Sequence, residues 1–432
     1  MNISILSVFP ELYNQFLKTS LIARAQEKGL IQVNLESFFS FVEPKERIDA
    51  PTFGPGAGML IRPDVVEKAI NKQEEQVGPA FKVFFSPQGQ KVNQKVLKQL
   101  ANILQQKKHV MFIAGRYEGM DARVEEHYAD MTLSIGDFVV MGGDLPAMLV
   151  LEGFLRLIPQ IVGKQESVEQ ESFYGPFVDY PEYTAPIEWK GLKVPDIVRS
   201  GNHAAIEQWR HEKAIKKTVK HHFNWLRNWP LDKQEKIQSK HFIPPHYIVL
   251  MHTDVLLPND EVGTTSVTSM DIHDVARSAA TYGIENYFLV TPLLDQQKIV
   301  NTLIDFWQKG AGKAYNIHRY QALQLVQMRN NLDEVIEVIR TKEGRDPLII
   351  TTSAREVEEK RAISYYDQSK IWQEDRPVLL LFGTGKGLAP QIIERSDYTL
   401  IPVEGFSDFN HLSVRSAIAI ILDRWMGINI QP

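Results

Sequence analysis

Apolar positions along this chain follow two rhythms. Short unbroken blocks, such as "KVFFSPQGQ" (82–90), "HVMFIAGRYEGMD" (109–121) and "MTLSIGDFVVMGGDLP" (131–146), run straight into glycine or proline. Each reads as a buried strand ending in a loop. Longer stretches lie between or after the blocks, and "AMLVLEGFLRLI" (147–158) is the most apolar of the predicted helices. Strands alternating with helices predict an α/β class. In open α/β sheets ligands bind beyond the carboxyl ends of the strands, so the three loops are expected to gather at one sheet edge. The same grammar returns in "HYIVLMHT", "RPVLLLFGTGKGLAP" (376–390), "DYTLIPVEG" (397–405) and "NHLSVRSAIAIILDRWMG" (410–427), which predicts two domains built alike. Between them, "VGKQESVEQESFYG" (162–175) is polar and is expected to be a mobile linker.

Length supports the division, because 432 residues exceed one ordinary core. No apolar run is long enough for a membrane span, and "MNISILSVFPELY" lacks the basic start of a secretory signal. Cysteine is absent, which excludes disulfides, zinc–thiolate sites and a thiol nucleophile, and a cytoplasmic location is expected. The net charge of −5 argues against a uniformly basic nucleic-acid coat. One segment departs from that average. From Trp209 to Phe242, nine Lys or Arg stand against three acids, with Trp209, Trp225 and Trp229 interleaved. Charge for phosphates and flat rings for bases would suit RNA. Taken alone, the run fits an amphipathic hairpin with inward-packed tryptophans better than an RNA surface.

The glycine-rich loops are not those of common cofactors. "GTGKGL" (383–388) has one residue where a P-loop needs four, and "GPGAG" (54–58) is one short of a dinucleotide fingerprint. Asp137 and Asp144 flank "SIGDFVVMGGDLP", so a polyphosphate is a poor guest.

Taken together and in order, "SILSVFPELY", "SPQGQ", "GRYEGMDARV", "SIGDFVVMGGDLP" and "VRSGNHAAIEQWR" resemble the bacterial tRNA (guanine-N1)-methyltransferases over residues 1 to about 240. "SMDIHDVARSAATYG", "LLFGTGKGL" and "NHLSVRSAIAIILDR" resemble a family of SAM-dependent RNA methyltransferases. The resemblance implies two trefoil-knotted SPOUT domains, over 1–160 and 246–432. A linker at 161–175 and a helical tRNA-binding module at 176–243 would join them.

It also implies S-adenosylmethionine as methyl donor, tRNA with guanosine at position 37 as substrate, and a homodimer with shared active sites. The family resembled is magnesium-dependent, but nothing in this sequence identifies a metal-ligand set. The implied donor site comprises Phe84, Phe85, Ser86, Pro87, Gly115, Tyr117, Glu118, Ile135, Gly136, Asp137, Phe138, Val139, Val140, Gly142, Gly143 and Pro146. Guanine N1 carries a proton at neutral pH, so transfer needs a base for that proton and a donor for charge on O6. Glu171, where the family has Asp, and Arg156 match those roles, with Glu171 reaching across the dimer. Ser200, Gly201, Asn202, His203 and Arg210 match the tRNA-gripping positions. Gly383, Gly385, Gly387, Leu412 and Ser413 match a second donor site. A tRNA-binding protein without catalysis, or an enzyme for another RNA acting through the second domain, would share these features.

Overall fold

Packing divides the chain into two units, Met1–Tyr174 and Gly175–Pro432. A computed structural model describes residues 1–54, 56–162, 171–309, 312–355 and 361–428. Most of the expected linker, 163–170, lies outside them, while Glu171–Tyr174 is described.

The strands of the first unit are β1 (Asn2–Ser7), β2 (Gln32–Ser37), β3 (Asp49–Pro51), β4 (Met59–Ile61), β5 (Phe81–Lys91), β6 (His109–Ile113) and β7 (Met131–Ser134). Its helices are α1 (Tyr13–Leu17), α2 (Ser20–Glu27), α3 (Pro63–Val77), α4 (Gln94–Lys107), α5 (Ala122–Tyr128) and α6 (Asp144–Leu155). A parallel sheet runs in the order β2-β1-β6-β5-β7. Alternate side chains go to opposite faces. Val110 and Phe112 meet α4 and α6, whereas Met111 and Ile113 meet α3. Burial on both faces explains why the strands read as unbroken apolar blocks.

One strand differs from expectation. β5 does not stop at Ser86-Pro87 but continues to Lys91, with its register against β7 shifted between Phe85 and Gln90. Ser86–Gly89 therefore bulge out of the sheet edge. A Cβ on Gly89 would lie 2.6 Å from the Thr132 carbonyl carbon, so only glycine lets the chain rejoin β7.

The second unit holds a small hairpin, β8 (Glu188–Trp189) and β9 (Leu192–Lys193), then helices His203–His221, Phe223–Arg227 and Lys233–Lys240. Next come β10 (His246–Met251), β11 (Val255–Leu256), β12 (Val262–Gly263), β13 (Asn286–Val290), β14 (Val326–Arg329), β15 (Leu348–Thr352), β16 (Ala362–Ile363), β17 (Val378–Gly383) and β18 (Tyr398–Leu400). The parallel order is β14-β13-β10-β17-β15-β18-β16. Its central part, β13-β10-β17-β15-β18, repeats the strand order of the first sheet, with β14 and β16 added at the edges.

The module expected over 176–243 shares its core with this second sheet. Ile215, Val219, Phe223 and Leu226 pack in one cluster with Trp372 and Trp425, and the Phe223 and Trp372 rings meet edge-on at 4.6 Å. Arg227, 5 % exposed, donates from Nε, Nη1 and Nη2 to the carbonyls of Gly427, Arg424 and Asp423 at 2.9, 2.7 and 2.9 Å. A cation is thereby set against the carbonyl end of helix Val414–Met426.

Candidate functional site

Because β6, β5 and β7 are sheet neighbours, the segments that leave them lie side by side. The loop after β6 and the loop before α6 touch directly, with Gly143 N–H donating to the Gly115 carbonyl at 2.7 Å and Arg116 bridged to Gly142. Glycine is demanded by that contact. A Cβ on Gly143 would stand 3.0 Å from Ala114 Cα and Gly115 N, and one on Gly142 would stand 2.5 Å from Arg116 Cδ. The hairpin β3–β4 joins from the side, the Met59 carbonyl accepting from Glu118 N–H at 3.1 Å. A Cβ on Gly58 would fall 2.3 Å from Glu118 Cγ.

The structure thus brings Ser86, Pro87, Gly115, Tyr117, Glu118, Ile135, Gly136, Gly142 and Gly143 to one sheet edge. Tyr117 takes a left-handed backbone (φ 61°). Phe138 and Val139 stand exposed on the loop, beside half-buried Val140. Two of the expected contacts point elsewhere. Phe84 is 1 % exposed within the core, and Pro146 is buried in α6, so a ligand at the edge would meet their backbone at most.

The acidic flanks need correction. Asp144 does not face the loop's open side but is 1 % exposed, and Arg116 Nε donates to it at 2.9 Å. Asp137 is exposed and paired with Lys91. An unpaired carboxylate would not be buried there, which is why Asp144 carries its own cation inward. Sequence reasoning also missed Ser7, Tyr13 and Arg116, which surround Asp144. The motif "SVFPELY" was the signal available, without a role to give it.

Arg156 caps the C-terminal end of α6 and donates through Nη2 to Oε1 of Glu171 of the same chain. The two expected catalytic groups are therefore adjacent within one chain, both partly exposed. Between them they offer a hydrogen-bond donor and an acceptor side by side.

In the second unit, Ser200 to His203 build a helix start. Gly201 adopts φ 73°, and the Asn202 side chain accepts from Ala205 N–H at 3.2 Å. Arg210 lies 4.7 Å from the Tyr180 ring centre. The tryptophans of the basic run are half-buried, and Trp225 Nε1 donates to the Gly175 carbonyl at 3.1 Å.

Gly383, Gly385 and Gly387 close a loop whose backbone is zipped to β11, Lys386 N–H donating to the Leu256 carbonyl and Leu256 N–H to that of Gly387. A Cβ on Gly385 would lie 2.5 Å from that Leu256 oxygen, while Gly387 (φ 108°) has open space. Ser413 caps helix Val414–Met426, and Leu412 is exposed beside it.

A family model for tRNA (Guanine-1)-methyltransferase TrmD matches residues 1–228, more than half of the chain. The chain belongs to this family. A protein named tRNA (guanine-N(1)-)-methyltransferase in Nitratidesulfovibrio vulgaris is 36 % identical over 99 % of both chains. One of the same name in Deinococcus radiodurans is 42 % identical over 51 % of this chain and 78 % of its own. A crystal structure of tRNA (m1G37) methyltransferase from Aquifex aeolicus is 31 % identical, covering 51 % of this chain and 92 % of that one, with a TM-score of 0.43. A second family model, for SAM-dependent RNA methyltransferases, matches residues 245–427. In this member of the tRNA (guanine-1)-methyltransferase family, no described helix is long and apolar enough to cross a membrane. Among the described residues no group of three or more His, Asp or Glu could hold a metal ion.

Proposed function

We propose that this chain transfers a methyl group from S-adenosylmethionine to N1 of guanosine 37 of tRNA, as a cytoplasmic homodimer. The observation that carries the reading is the Arg156–Glu171 pair beside the helix that leaves the glycine loops. The edge of guanine presents O6, an acceptor, next to N1–H, a donor. Arg156 would donate to O6, and Glu171 would accept from N1–H and keep its proton as the new N1–C bond forms. Bound S-adenosylmethionine supplies an already activated methyl group and leaves as a neutral thioether.

The loops fit such a ligand better than a phosphate. Their rim offers aromatic rings, backbone and the Glu118 carboxylate, while Arg116 and Lys91 are tied to acids. Positioning is then the main task left to the protein. Phe138, Val139, Met141, Leu145 and Leu149 are exposed around the loop and the start of α6, an apolar face that supports self-association. The basic helix His203–His221 would hold the tRNA backbone.

Labelled methyl incorporation into a tRNA transcript with guanosine 37, beside its adenosine variant, tests the reading. Signal with guanosine alone is expected. Equal signal on both would move the activity to another target, and binding without signal would leave a tRNA-binding protein.

A further inference from the structure

The motif "SVFPELY" lies outside the expected donor and tRNA contacts, yet its side chains converge on one buried carboxylate. Ser7 Oγ and the Tyr13 hydroxyl donate to Asp144 Oδ1 at 2.6 and 3.2 Å, and Arg116 Nε donates to Oδ2 at 2.9 Å. Phe9 N–H donates to Ser7 Oγ at 2.9 Å, and its ring lies 5.1 Å from the Arg116 guanidinium carbon.

We propose that Asp144 is a positioning residue of the methyl-donor site, holding the loop at 114–118 against the loop at 135–143 before the donor arrives. The inference rests on reading those loops as the donor site.

Three features support it. Asp144 opens α6, so its carboxylate is fixed to the last glycine loop and lies at the favourable end of the helix dipole. Arg116 belongs to the other loop, and its stem lies where a side chain on Gly142 would be. Moving the guanidinium would move both loops. Ser7 and Tyr13 anchor the carboxylate to β1 and α1, inside the core. Burial and the Asp144 charge push the Tyr13 hydroxyl well above its ordinary pKa, so it stays a donor across the working pH range.

Both carboxylate oxygens are engaged by donors, so a merely space-filling replacement is not neutral. In Asp144→Asn the amide nitrogen would oppose at least one of those donors, leaving a buried group unpaired. In the full chain, its dissociation constant for S-adenosylmethionine by calorimetry should rise about tenfold or more, the scale of one such loss. KM for the donor should rise in parallel, while kcat at saturation falls less than about threefold, the pattern of lost binding rather than lost chemistry.

Without any ligand, amide exchange at 115–118 and 140–143 should quicken, with β1 and β6 unchanged. Tyr13→Phe removes one donor and keeps the packed ring. It should weaken donor binding about threefold in a protein that folds even if Asp144→Asn does not.

Unchanged donor affinity and loop exchange in both variants would overturn the proposal. So would a loss of affinity that follows general unfolding, with β1 and β6 exchanging as fast as the loops. A wild-type protein that binds no donor at all would sink the functional reading, and this inference with it.

Discussion

Glu171 and Arg156 are tied in the same chain, so their effects couple, and a size-conserving change is needed to test the base. Glu171→Gln keeps the size and removes the base, so single-turnover methylation should slow by about 10²–10⁴-fold with donor affinity unchanged. Loss of donor binding instead would move Glu171 out of the chemistry. The glycines supply a second residue-scale test. In the second unit, Gly385→Ala must displace the Leu256 carbonyl as well as strain a left-handed backbone, whereas Gly387→Ala meets only the strain. The first should destabilise that unit by about 3 kcal/mol or more and the second by about 1–2, read from urea titrations. Equal effects would mean that loop closure, not contact, sets the need for glycine. These glycines were legible as special positions, but their reason was not. The motif suggested approach to a ligand, and Gly142, Gly143, Gly383 and Gly385 prove to be close approaches of the chain to itself.

At the scale of elements, helix Val414–Met426 begins at Ser413 and ends on Arg227. Arg227 lies within residues 1–228, yet all three of its described carbonyl partners lie within 245–427. Arg227→Met would leave those carbonyls without their donors, at a cost of about 2–4 kcal/mol. Because the basic helix and the second sheet share a core, denaturation should still show one transition for both, shifted to lower urea. Two separate transitions would show that the module folds apart from the sheet. The strands at 109–113, 131–134 and 378–383 were readable as apolar blocks, since burial on both faces leaves no polar alternation to confuse them. The continuation of β5 past Pro87 was not readable, because a bulge depends on the neighbouring strand.

For the whole molecule, acid should act through buried imidazoles, His109 in the first unit and His246 and His252 in the second. All seven tryptophans lie in the second unit, so intrinsic tryptophan fluorescence reports on it alone. That unit buries His246 and His252, and burial pushes both imidazoles down to about 4. His246 Nε2 accepts from Trp425 Nε1–H at 3.0 Å, while Nδ1 lies 2.6 Å from the Pro244 carbonyl, so a second proton would set donor against donor. The unfolded chain binds these protons from its ordinary value near 6.5 and the folded chain only near 4. Stability from both groups is therefore intact above about pH 6.5 and is lost as pH falls through that window. At pH 5 the second unit should have lost about 2 kcal/mol per histidine relative to pH 7.5, measured by urea titration. A midpoint that does not move would mean that the rings take up protons without unfolding.

By itself the sequence determined the α/β class, two similarly built domains, the family and the three loops at one strand edge. Each of these depends on local pattern, or on motifs kept in order along the chain. Tertiary structure alone decided which charges turn inward, that Asp144 gathers Ser7, Tyr13 and Arg116, and that the basic helix shares a core with the second sheet. Those outcomes depend on contacts between residues up to 137 positions apart in the Asp144 cluster and 200 apart at Arg227. Desolvation at such contacts is set by the packed neighbours and leaves no periodic trace in the chain.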